Sequence, residues 1–164
     1  ATAGAAGVAP DVMTAAIKDF KPVPHRLETV RELDGVTYVN DSIATAPERV
    51  LAALRSYDEP LVLLAGGADK KLPWAEMIAL ALSKCRHIVA FGRDGDIVVD
   101  TIRKLTGTID DVTRVDTLEE AVAEALKVAQ SGDIVLLSPG GTSYDAYSDF
   151  AERGEHFRQL VMGL

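Results

Sequence analysis

A single cysteine, Cys85, excludes any disulfide within the chain, and its place in Ser83-Lys84-Cys85-Arg86-His87, at the mouth of an apolar run, reads as a small core side chain. Long hydrophobic runs are missing. The longest, such as Leu61–Ala65 and Ile134–Leu137, are strand-sized and far short of the roughly 20 residues that a membrane span requires. Basic residues are outnumbered, 17 Lys and Arg against 25 Asp and Glu for a net charge of −8, and they form no cluster that could track a phosphate backbone. Neither a membrane nor a nucleic acid is an expected partner. The Ala-rich opening lacks a basic start and contains Gly4, Gly7, Pro10 and Asp11, so it does not read as a signal peptide, and a cytoplasmic location is expected. There is no G-x-x-x-x-G-K-[ST] loop, no G-x-G-x-x-G turn, no His/Cys/Asp set with metal-site spacing and no G-x-S-x-G elbow. A P-loop, a dinucleotide fingerprint, a resident metal and a serine nucleophile are thereby excluded from these residues.

What remains is ordinary globular material. With 164 residues, 48% hydrophobic and 26% charged, the chain suffices for one domain and a remnant. Residues 1–20 become periodic at Val12, Ala15, Ala16 and Phe20, with Pro10 suited to a first turn, which predicts one short helix, the remnant of a preceding domain. Lys21-Pro22-Val23-Pro24 forbids its continuation, because each proline fixes its own φ and pushes its predecessor out of the helical region. Residues 21–24 are thus the expected linker and 25–164 the domain. It opens with two strands, 26–31 and 36–40, flanking the Asp34-Gly35 turn. Strand-length runs at 61–65, 87–91, 113–115 and 134–137 then alternate with helical periods at 73–83, 95–105, 118–129 and 144–160, and Pro47, Pro73, Asp94 and Thr117 mark helix starts. The pattern predicts an α/β, Rossmann-like fold: a mostly parallel sheet with helices on both faces and an antiparallel hairpin at its N-terminal edge.

Ligands of such sheets bind beyond the carboxyl ends of the strands. Four segments fall there: Asn40–Thr45, Gly66–Lys71, Gly92–Gly95 and Ser138–Ser143. Taken singly, Asp41, Ser42, Thr45 and Asp94 could simply cap helices, and paired glycines are common loop punctuation. Taken together they make one composite site suited to an anion. Ser143 and its neighbours would offer hydroxyl and N–H donors at a helix start, Lys70 an ammonium and Thr45 a hydroxyl, enough to hold a small dicarboxylate at both ends. The reading requires Thr45, Lys70 and Ser143 to converge. His87 begins a strand and His156 lies on the last helix, so both read as structural, whereas His25 lies where two domains would meet.

Pro24-His25-Arg26-Leu27-Glu28, Asn40-Asp41-Ser42-Ile43-Ala44-Thr45-Ala46-Pro47-Glu48, Gly66-Gly67-Ala68-Asp69-Lys70 and Leu136-Leu137-Ser138-Pro139 leading to Ser143-Tyr144-Asp145 occur in that order. Together they resemble the C-terminal third of the Mur ligases that add D-glutamate to UDP-N-acetylmuramoyl-L-alanine. The likeness runs from about Pro22 to the end, and residues 1–20 resemble the closing helix of that family's central domain. It implies ATP-dependent amide ligation in peptidoglycan synthesis: phosphorylation of a substrate carboxylate, attack by the amine of D-glutamate on the acyl phosphate, and collapse to amide, ADP and phosphate. By the same resemblance Thr45, Lys70, Ser143, Tyr144 and Phe150 receive D-glutamate, Arg26 and Asp41 contact ATP, and His25 stands near the reacting phosphate. Some members carry Lys where this chain has Ile43. The family's P-loop, magnesium ligands and uridine-binding domain belong to other parts of the enzyme, so the chain alone is expected to be monomeric and to have no turnover. Two other readings compete: a related ligase with a different amino-acid substrate, and a stand-alone α/β module that binds a small anion.

Overall fold

The computed structural model describes residues 2–19 and 23–164. Phe20 and the Lys21-Pro22 half of the expected linker lie outside these residues. The Ala-rich segment forms two helices where one was expected, α1 (Thr2–Ala5) and α2 (Pro10–Lys18), because Gly7 takes a left-handed φ of 82° between them. Neither helix buries a residue.

The hairpin consists of β1 (Glu28–Leu33) and β2 (Val36–Asn40), and Asp34 and Gly35 both adopt positive φ, 52° and 78°, as a two-residue turn that follows the strand twist requires. After it come α3 (Pro47–Leu54), β3 (Leu61–Gly66), α4 (Ala75–Lys84), β4 (Cys85–Phe91), α5 (Asp96–Thr106), β5 (Val112–Arg114), α6 (Leu118–Val128), β6 (Ile134–Gly140) and α7 (Phe150–Met162). The six strands form one sheet in the order β1-β2-β6-β3-β4-β5, parallel except for β1 against β2.

Every residue of β3 and β6 is buried, since both faces of the sheet are covered. Alternate side chains serve the two faces. Leu61, Leu63, Ala65 and Leu136 pack under α3, α4 and α5 with Leu54, Met77, Ile78 and Ile102, while Val62, Leu64, Val135 and Leu137 pack under α6 and α7 with Leu118, Val122, Phe157 and Val161. Each fully buried side chain of this size contributes roughly 1.5–3 kcal/mol.

Three helix starts differ from the sequence reading, the first being α4, which begins at Ala75 with Trp74 as its N-cap rather than at Pro73. Helix α7 begins at Phe150 rather than Tyr144, because the Asp149 carboxylate accepts the Glu152 N–H at 2.8 Å while Glu152 in turn accepts from the Ser148 N–H and hydroxyl at 2.6 Å. Helix α5 has Gly95 at its N-cap without a side-chain cap, and Asp94 instead accepts the Asp69 N–H at 2.9 Å. Thr117 and Glu120 do form the reciprocal cap that starts α6.

The chain leaves β2 and β3 towards the α3/α4 face, and leaves β6, which lies between them, towards α7 on the opposite face. Loops that diverge in this way open a crevice at the carboxyl end of the sheet, the place where α/β folds take ligands.

Candidate functional site

Three loops frame that crevice: residues 41–46 after β2, 67–74 after β3 and 141–149 after β6. The side chains of the first are not spent on capping, since Ala46 is the N-cap of α3 and no side chain caps that helix. Thr45 instead meets Lys70, whose Nζ donates to Thr45 Oγ1 at 3.1 Å. The second and third loops are stitched by a backbone pair: Ala68 N–H to Thr142 O at 2.9 Å and Thr142 N–H to Ala68 O at 2.8 Å. This joins the segments leading to Lys70 and Ser143. So close an approach needs Gly67 and Gly141, where a Cβ would lie 2.4 Å from Thr142 O and 2.5 Å from Gly66 O respectively. Lys70 is also indirectly fixed, because the neighbouring Asp69 carboxylate accepts the Trp74 indole N–H at 3.0 Å.

Ser143 is buried in the turn after β6, and its carbonyl accepts the N–H groups of Ala146 and Tyr147. It does not stand at a helix start as the sequence reading had it; the delayed cap at Asp149 removes α7 from its position. Tyr144 is 73% exposed beside it. Phe150 is half-buried and edge-on to the His25 ring, with centroids 6.2 Å apart, and its carbonyl accepts from Ser42 Oγ at 2.8 Å.

Sequence reasoning missed Arg153, which is 1% exposed on α7 beneath the loops. Its Nε donates to Ser42 Oγ and its Nη2 to Ser42 O, both at 3.0 Å, and both Nη atoms reach Gly141 O at 3.3 Å. A Cβ on Gly67 would come within 3.0 Å of Arg153 Nη1. One guanidinium thus bonds the loops that carry Thr45 and Ser143 and lies beside Gly67 at the start of the loop that carries Lys70. Burial pushes its pKa down to about 10, which leaves it charged at neutral pH, and it makes no ion pair among the described residues. The signal was present in the sequence: Arg153, Phe157 and Val161 recur at a spacing of four on the buried face of α7.

A second recess, of about 260 Å³, adjoins the first loop and is lined by Arg26, Asp41, Ile43, Ala44, Arg49 and Ala53 among others. Asp41 is 4% exposed; Oδ1 accepts the Leu27 N–H at 3.3 Å and Oδ2 the Ser138 hydroxyl at 2.8 Å. Burial raises its pKa, against the pull of Ser138, the Leu27 N–H and the guanidinium groups of Arg26 and Arg49. Arg26 and Arg49 are exposed at this recess, and Arg49 donates weakly to the carbonyl of Ile43 at 3.4 Å. Ile43 offers no cation there. His25, next to Arg26 in the chain, takes a left-handed conformation of φ 61° and accepts the Ile43 N–H on its carbonyl. No group of three or more His, Cys, Asp or Glu among the described residues could hold a metal ion, and no helix among them is long and apolar enough to cross a membrane.

The fold is a doubly covered α/β domain with cationic side chains, Lys70, Arg26 and Arg49, beside the carboxyl ends of its strands. The family model described as "Mur ligase, glutamate ligase domain" matches residues 25–141, and the chain belongs to that family. It is 45% identical over 156 residues to the UDP-N-acetylmuramoylalanine–D-glutamate ligase of Roseiflexus sp. (strain RS-1), covering 94% of this chain and 34% of that protein. The enzyme of the same name from Salinibacter ruber is 44% identical over 154 residues, again 94% of this chain and 33% of the relative. The chain therefore spans about a third of the length of these relatives. Among solved structures, the Mycobacterium tuberculosis folylpolyglutamate synthase complexed with ADP matches with a TM-score of 0.66 at 16% identity, over 93% of this chain and 35% of that one. A UDP-N-acetylmuramoyl-L-alanyl-D-glutamate–2,6-diaminopimelate ligase matches with a TM-score of 0.58 at 16% identity, over 99% and 36%. These two likenesses concern the fold alone.

Proposed function

We propose that the chain is the amino-acid-binding domain of a cytoplasmic ligase that uses ATP to join D-glutamate to UDP-N-acetylmuramoyl-L-alanine in peptidoglycan synthesis. In this reading residues 25–164 form that domain, 21–24 the hinge, and the segment before them belongs to the central domain. The observation that carries it is the meeting of Lys70 and Thr45 at 3.1 Å, beside the stitched loop that holds Ser143, in a chain 45% identical to a D-glutamate ligase. An ammonium and a hydroxyl at this separation suit one carboxylate of glutamate, which would replace their mutual bond with two charge-assisted or polar ones. Ser143 and the exposed Tyr144 face the remainder of the substrate, and Phe150 supplies an apolar wall.

The Arg26/Asp41 recess suits ATP. Arg26 and Arg49 provide guanidinium groups matched to phosphate oxygens, and Asp41, which lines the same recess to contact the nucleotide, also fixes the turn before β1 that carries Arg26 by accepting the Leu27 N–H. ATP supplies the phosphoryl group that activates the acceptor carboxylate. The magnesium that accompanies it would be held by the rest of the enzyme. The domain's own contribution is positioning and charge stabilisation: it presents the glutamate amine to the activated carboxylate and excludes water as it closes.

ADP release by the complete ligase tests this. It should depend on D-glutamate and not on other amino acids, and the isolated chain should give none. Turnover by the isolated chain, or equal turnover with another amino acid, contradicts the reading.

A further inference from the structure

Asn40 closes β2 with 0% exposure, and its side-chain amide is fully engaged. Oδ1 accepts the Ser42 N–H at 3.1 Å, while Nδ2 lies 3.1 Å from Gly154 O, 3.4 Å from Glu28 Oε2 and 3.0 Å from His25 Nδ1. Two main-chain partners determine which way the amide points. Ser42 offers only a hydrogen and Gly154 only a lone pair, so rotating the amide by half a turn would set oxygen against oxygen and N–H against N–H. Of the two amide hydrogens one serves Gly154 O, and the other points between His25 Nδ1 at 3.0 Å and the more distant Glu28 Oε2 at 3.4 Å, so the group facing His25 is a donor, and a donor can meet Nδ1 only if that nitrogen carries the lone pair. We infer that Asn40 is a positioning residue that locks His25 in the tautomer with its hydrogen on Nε2.

The surroundings brace the same arrangement. The His25 main-chain N–H donates to Glu28 Oε2 at 3.0 Å, its carbonyl accepts the Ile43 N–H at 3.2 Å, and Phe150 packs edge-on to the ring. Glu28 is held in turn by Arg158, whose Nη2 lies 2.8 Å from Glu28 Oε1. Burial opposes ionisation of Glu28, yet the His25 N–H and the Arg158 guanidinium keep its carboxyl below the usual value. Gly154 explains itself by the same contact: a Cβ there would stand 2.3 Å from His25 Nδ1 and 3.0 Å from Asn40 Nδ2. A glycine within α7, ordinarily unfavourable by about 1 kcal/mol against alanine, is what lets the imidazole seat on the helix.

Among the described residues Nε2 has no hydrogen-bond partner, so the lock leaves one fixed donor for an anionic oxygen. The functional half of the inference rests on the ligase reading, in which that oxygen belongs to the transferred phosphoryl group or the acyl phosphate. A bound donor of set orientation needs no reorganisation when charge develops on the oxygen. The tautomer itself does not depend on that reading.

The ring nitrogens of His25 in the 15N-labelled chain distinguish the two halves. At a pH where the imidazole is neutral, Nδ1 should show the resonance of an unprotonated nitrogen and Nε2 that of an N–H. Asn40→Asp places an acceptor against Nδ1 and should reverse the two, and Asn40→Ala should give a mixture. Glu28→Gln should leave them as in the parent. A protonated Nδ1 in the parent chain, or an Asn40→Ala chain that remains folded with an unchanged pattern, overturns the lock. In the complete ligase, Asn40→Ala should lower kcat by ~10²-fold, the scale of a lost oriented donor, with the KM for D-glutamate changed by less than about threefold. A raised KM with unchanged kcat overturns the positioning role. A parent ligase indifferent to D-glutamate would sink the ligase reading and leave the ring measurement standing.

Discussion

The two ends of the sheet handle buried charge in opposite ways. At the amino end, the buried Asp133 carboxylate is matched by Arg86, with Nε and Nη2 at 2.7 and 3.2 Å, and also accepts the Gln130 N–H at 2.9 Å. Lys84 closes that end by donating to the carbonyls of Leu54 and Tyr57 at the end of α3. At the carboxyl end, Arg153 is as deeply buried as Asp133 yet has only hydroxyl and carbonyl partners, Lys70 has only a hydroxyl, and Arg26 makes no ion pair among the described residues. None of the three forms an ion pair among the described residues, although the chain's net charge is −8. In the proposed reading, the Arg86–Asp133 pair only holds the fold together, whereas the positive charge left without an ion pair at the carboxyl end receives an anion.

The largest effect that can break this comparison comes from its two buried charges. Arg153→Met strands the carbonyls of Ser42 and Gly141 and should lower the chain's unfolding free energy in urea by ~3 kcal/mol. In the complete ligase it should also raise the KM for D-glutamate, since the loops after β2 and β6 lose their common tie. Asp133→Asn should destabilise by ~1–2 kcal/mol and leave that KM unchanged. Equal effects of the two on KM would erase the distinction between the ends.

Lys70→Ala comes next. An exposed side chain contributes little to stability, so urea midpoints should hardly move, while the KM for D-glutamate rises on the order of 10- to 100-fold, as expected for loss of a charge-assisted bond. Thr45→Ala, which removes a neutral hydroxyl, should raise it by only about two- to tenfold. Reversal of that order would show that the hydroxyl, not the ammonium, dominates recognition.

The smallest effect is on pH dependence. Burial lifts the Asp41 carboxyl above its ordinary 3.8, so the native chain binds this proton more tightly than the unfolded one. The stability associated with the neutral form is fully present below the unfolded value and is lost as pH rises through the native value. Asp41→Asn removes the titration, and urea unfolding across acidic pH should show a shallower loss of stability with rising pH than the parent. An unchanged slope would place the titrating group elsewhere.

Most of the fold could be read from short-range patterns, because those are what local sequence encodes. Asp34-Gly35 announced its hairpin through the positive φ that both residues adopt, and Thr117 and Glu120 announced their cap. The start of α7 was misplaced because Ser143-Tyr144 follows a strand directly, although Asp149 and Glu152, at cap spacing six residues later, hold the helix start. The crevice itself followed from the rule for parallel sheets, and the Lys70–Thr45 pair lies at its rim. The partners of Arg153 and the Asn40–His25 contact were not read, because both are settled by packing between segments more than ten residues apart; the spacing of Arg153 with Phe157 and Val161 points only to the buried face of α7.

An isotope-edited NMR titration of the 15N-labelled chain with D-glutamate, ATP and an unrelated dicarboxylate addresses the rim most directly. The account predicts that D-glutamate moves the resonances of Thr45, Lys70 and Ser143 together, that ATP moves those of Arg26 and Arg49, and that the unrelated dicarboxylate moves neither set. A D-glutamate response confined to residues around Arg86 and Asp133, or the same response to both dicarboxylates, would contradict it.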